Sequence, residues 1–85
     1  MLSPADVCSK VDALVAPILA LDHGPSLQAL MLVNHLAYRV LEGGDRQDVA
    51  VLHEGVADLL DVLPMDADVR ALSLSLSDAV VSMEV

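Results

Sequence analysis

Three histidines (His23, His35 and His53), the lone cysteine Cys8 and a set of 13 acids are the residues of this 85-residue chain suited by type to chemistry. Zinc sites on helices and loops usually pair their ligands as HxxxH, CxxC or CxxH. None of those spacings occurs here, so the sequence predicts no metal and no cofactor. A nucleophilic Ser or Cys needs a His beside it and an acid to orient that His. Cys8 falls instead at the edge of an apolar stripe, where a thiol behaves as a small hydrophobe. There is no GxSxG and no glycine-rich phosphate loop; Gly43-Gly44 reads as a helix C-cap. The expectation is a protein that is not an enzyme. The catalytic alternative is a metal-dependent one built on His35, His53 and Glu54.

The acids themselves are the most informative group. They outnumber Lys and Arg 13 to 4, giving a formal charge of −9 and a pI near 4.2. Such a chain is unsuited to nucleic-acid backbone, where Lys and Arg face phosphate, and to an anionic membrane surface. It suits a cationic partner. Glu54, Asp58 and Asp61 recur at i, i+4 and i+7, with Asp45, Asp48, Asp66 and Asp68 nearby in sequence. Carboxylates displayed that way speed association and compete with phosphate for Arg and Lys in a basic groove.

Four segments must position these residues. Breaks fall at Asp22-His23-Gly24-Pro25, Glu42-Gly43-Gly44-Asp45 and Leu63-Pro64-Met65-Asp66. The first segment opens Ser3-Pro4-Ala5-Asp6: an N-cap, a proline at N1 and an acid at N3. Val7, Val11, Leu14, Val15 and Ile18 then share one helical face. Pro17 removes a backbone donor, so a kink or break is expected there. In the second segment, Ser26 to Glu42, only Gln28, His35, Arg39 and Glu42 make a polar stripe. A helix apolar over most of its circumference is central in a bundle or shared with another chain. Asn34 lies inside the apolar arc, where a buried amide fixes register.

The third segment, Asp45 to Leu63, is amphipathic, with Val49, Leu52, Val56, Leu59, Leu60 and Leu63 inward. Gly55 within it costs about 1 kcal/mol relative to Ala unless a close helix contact needs it. The fourth, Asp66 to Val85, carries the strand-like alternation Leu72-Ser73-Leu74-Ser75-Leu76-Ser77 inside a longer helical stripe from Val69 to Met83. No second strand is present to pair with it, so a helix is expected. It leaves Leu74, Val81 and Val85 on the outside.

Acyl carrier proteins are small, acidic four-helix chains with Asp-Ser-Leu opening the second helix. Here Pro25-Ser26-Leu27 stands at that point, with proline in place of the acid and no long loop after the first helix. Ser26 is therefore read as an N-cap.

These elements predict one all-α domain over residues 1–85: a small antiparallel four-helix bundle with short turns, its first helix kinked at Pro17 and its second central. An apolar fraction of 55% exceeds what so thin a core can bury, which predicts a homodimer with Leu32, Leu36, Leu74 and Val81 at the contact. One cysteine, no basic leader and no apolar run long enough for a bilayer predict a cytoplasmic protein. The residue usage, Asp far above Glu with a single Lys, is that of a GC-rich bacterium or its phage. The expected function is a non-catalytic protein that binds and modulates or inhibits a larger partner. In one form the acidic face of Asp45, Asp48, Glu54, Asp58, Asp61, Asp66 and Asp68 enters a nucleic-acid-binding groove, as anti-CRISPR proteins and other phage inhibitors do. In the alternatives, an apolar strip docks on a partner helix, as in an anti-activator or antitoxin, or the chain is a structural oligomer subunit.

Overall fold

The computed structural model describes residues 3–83, and side-chain caps decide where its helices begin. Helix α1 runs Pro4–Ala20, α2 Gly24–Leu41, α3 Arg46–Val62 and α4 Ala67–Met83. At α1 the Ser3 hydroxyl accepts the Asp6 N–H at 3.4 Å and the Asp6 carboxylate accepts the Ser3 N–H at 3.0 Å. That second bond, more than any other influence, holds the Asp6 carboxyl below its usual range. Asp45 and Asp48 repeat the device at α3, at 3.1 and 3.2 Å. Asp66 accepts the Val69 N–H at 3.0 Å to start α4.

The start of α2 differs from the sequence reading. His23, not Ser26, is the N-cap: its Nδ1 accepts the Ser26 N–H at 3.3 Å. Gly24 and Pro25 begin the helix instead of breaking it, because a proline in the first turn has no intrahelical donor to lose. Ser26 is fully buried, with its hydroxyl 2.6 Å from His23 Nδ1.

Other expectations are also corrected. Helix α1 continues through Pro17 to Ala20, so of the kink or break expected there the break does not occur. Proline so near the C-terminal end forfeits one hydrogen bond, and burial of Leu14 and Ile18 on either side carries the helix through. Helix α2 is not central. Each helix packs on two neighbours in a closed ring (α1 on α2, α2 on α3, α3 on α4 and α4 on α1), and no diagonal pair brings its backbones close among the described residues. The surplus apolar residues of α2 consequently remain on the surface: Met31 is 65% exposed and Leu32 50%. Val15, assigned to the inner face of α1, is exposed too.

Residues 72–77 are helical, and no strand forms among the described residues. Wound as a helix, the Leu–Ser alternation must put a serine inside. Ser73 is fully buried and donates to the Val69 carbonyl at 2.9 Å, while Leu72 and Leu74 turn outward. Val81 is exposed; Val85 lies outside the described residues.

The core at the centre of the ring is aliphatic: Leu14, Ile18, Val33, Leu52, Val56, Leu59 and Leu76 are all essentially inaccessible. Turns of three or four residues join the helices. Gly43, at φ +108, ends α2 in a conformation that L side chains rarely adopt, and its N–H reaches the Val40 carbonyl at 3.1 Å. Gly55 does mark a close approach: a Cβ there would lie 3.1 Å from Leu36 Cδ1 and 3.6 Å from Val33 Cγ2. The radius of gyration, 11.7 Å, matches the roughly 12 Å of a compact chain this long.

Candidate acidic interface on the third helix

The seven acids singled out in the sequence divide by what they do. Asp45, Asp48 and Asp66 are committed to capping, and Asp48 also lies 4.0 Å from Arg39 of α2. Glu54, Asp58 and Asp61 are different. All three are exposed on α3, and none caps a helix or pairs with a base among the described residues. The inner face of α3 is set by Leu52, Val56 and Leu59, so the helical period puts these carboxylates on the side facing away from the core. Asp68 is exposed in the first turn of α4, beyond the α3–α4 turn.

Three carboxylates from residue 54 to 61 span roughly 10 Å of helix at about 1.5 Å per residue. That is one charge per roughly 5 Å, against one per about 3.4 Å along a DNA strand. The ridge is thus a somewhat diluted version of a phosphate row, fixed on a rigid element. The two helices that pack on α3 also expose apolar side chains. Leu32 stands half-exposed on α2, and Leu74 and Val81 on α4. Leu36 is half-buried against the core, where it meets Gly55. The four residues expected at one contact therefore lie on two helices that are diagonal in the ring.

His23 is engaged as a cap, His35 is exposed on α2 and His53 is half-buried on α3. No group of three His, Cys, Asp or Glu among the described residues is placed to hold a metal ion. Cys8 is buried, and desolvation, with a smaller push from Asp12, raises its thiol above the ordinary range. A thiol held protonated is a poor nucleophile.

No family model, curated protein or solved structure matches the chain.

Sequence reasoning missed two features. Lys10, the one lysine of the chain, donates from Nζ to Ser75 Oγ at 2.9 Å, linking α1 to α4. With Ser9, Ala13 and Leu72 these residues line an open groove of about 220 Å³. The pairing joins positions 65 residues apart, and no local spacing announces it. The second is Tyr38, which Asp12 and Cys8 of α1 face and whose hydroxyl is held above its usual range chiefly by the Asp12 carboxylate. Its position in a 4-3-4-3 stripe on α2 was a readable signal. No described helix is long and apolar enough to cross a membrane.

Proposed function

We propose that this chain is a non-catalytic cytosolic binding protein, an antiparallel four-helix bundle that presents the outer face of α3 to a basic surface on a larger protein and so modulates or inhibits it. One observation carries the reading. Glu54, Asp58 and Asp61 are exposed together on a rigid helix and serve no cap or ion pair among the described residues, whereas neighbouring acids do. Mutual repulsion along the ridge costs a few tenths of a kcal/mol per pair, which an Arg- or Lys-lined groove would relieve. A phage-type inhibitor of a nucleic-acid-binding protein is the form of partner this chemistry suits best, since the ridge approximates a phosphate row.

Half-exposed Leu32 on α2 and Leu74 on α4, the helices that pack on α3, support a second reading, in which apolar contact with a partner helix supplies the affinity. The test is capture of partners by tagged protein, followed by challenge with DNA or RNA. Release of the captured protein by nucleic acid, together with no capture by the E54Q/D58N/D61N variant, is the expected result. Capture unaffected by both would overturn the acidic-face reading and favour the apolar one.

A further inference from the structure

Exposed apolar residues occur on all four helices, and those bordering α1 and α2 fall into stripes. On α2, Leu27, Met31, Asn34, Tyr38 and Leu41 recur at intervals of four, three, four and three, which places them in one stripe. On α1, Asp12, Val15 and Leu19 recur at three and four. Helices α1 and α2 pack together, and Asp12 faces Tyr38, so the two stripes border one seam. Along it Val15 is 39% exposed, Leu19 54%, Met31 65%, Tyr38 38% and Leu41 42%.

Charge sets this face apart from the rest of the molecule. Residues 3–41 contain three acids and two bases; residues 42–83 contain nine acids and two bases. The excess negative charge is therefore carried by α3, α4 and their turns. Any contact between two copies of a −9 chain that used the α3 side would set acid against acid. The α1–α2 face is close to neutral and apolar, and such a surface is self-complementary across a two-fold axis, where the same patch meets itself.

We infer that the α1–α2 face is a self-association surface, and that its occupant is a second copy of this chain held through Val15, Leu19, Met31, Tyr38 and Leu41. The stripe on α2 is roughly 20 Å long and two helices are about 20 Å wide, giving on the order of 400 Å² of flat contact per copy. That falls below the roughly 800 Å² per partner of a standard stable interface, so the dimer exchanges with monomer as concentration changes. The inference is independent of the acidic ridge, which would point away from the contact and stay open to another partner.

Sedimentation velocity over a concentration series tests it, with the single tyrosine as a local probe. The wild-type chain should pass from monomer to dimer as concentration rises. Iodide quenching of Tyr38 fluorescence should fall over the same range. High salt should preserve or strengthen the dimer, because it screens the −9 charge of each copy. Leu19→Glu and Met31→Glu, each at an exposed site, should keep the circular dichroism spectrum and remain monomeric throughout. Leu74→Glu should dimerise like wild type. A wild-type chain that stays monomeric to millimolar concentration overturns the inference. So does loss of the dimer with Leu74→Glu but not with Met31→Glu.

Discussion

Asp48 shows how much one residue does here: it accepts the Asp45 N–H, donates its own N–H back to Asp45, and stands 4.0 Å from Arg39. The ion pair is long and largely exposed, worth at most about 1 kcal/mol. The caps matter more. Replacing Asp45 by Ala should lower stability by about 1 kcal/mol in urea denaturation, and Arg39→Ala by less. Gly55 has two opposed terms. Alanine there gains about 1 kcal/mol of helix propensity but meets the end of the Leu36 side chain at 3.1 Å, which a half-buried leucine can yield. Gly55→Ala should therefore leave stability nearly unchanged, whereas Gly55→Leu should destabilise by about 1–3 kcal/mol. Titration adds a direction. The Asp6 carboxyl is held low, so its contribution is present above the ordinary carboxylate range and lost as pH falls through the folded value. The Cys8 thiol is held high, so its contribution is present below the ordinary thiol range and lost as pH rises towards the folded value. Stability measured from neutral to alkaline pH should fall, and Cys8→Ala should flatten part of that fall.

At the scale of elements, the four helices and the turns between them were legible, because Ser3, Asp45, Asp66, Pro4 and Gly43 are chemically specific boundary signals. The start of α2 was not, since His23 is a less common cap and Gly-Pro reads as a breaker until its place in the first turn is known. The role of α2 was misjudged for another reason. Periodicity tells how much of a helix is apolar, but only packing tells how much of it finds a neighbour, and the ring leaves Met31 and Leu32 without one. On the candidate site, spacing alone separated Glu54, Asp58 and Asp61 from the inner face; it could not separate them from Asp48, whose capping bonds depend on the backbone. Leu52→Ala, at a site without solvent access, should cost about 2–5 kcal/mol. Leu36→Asp should also destabilise the fold, because Leu36 packs between α2 and Gly55 of α3.

The whole molecule is divided by charge and not by fold. One side of the ring, α1 and α2, is nearly neutral; the other, α3 and α4, carries most of the acid. A chain of this length has on the order of 5–10 kcal/mol of stability, so one core truncation can consume half of it. Neutralising the ridge should do the reverse: E54Q/D58N/D61N should unfold at equal or slightly higher denaturant than wild type, because it removes i, i+4 repulsion. Stability and binding are thereby separable in one variant.

The most direct test of the acidic ridge is the salt dependence of partner binding, measured for wild type and for E54Q/D58N/D61N. Raising salt to about 1 M shortens the Debye length to about 3 Å, which screens exposed carboxylates from a basic groove. The wild-type complex should weaken steeply with salt, and the variant should bind weakly at every salt concentration. Equal affinity for both proteins, unchanged by salt, would contradict the ridge as the binding surface.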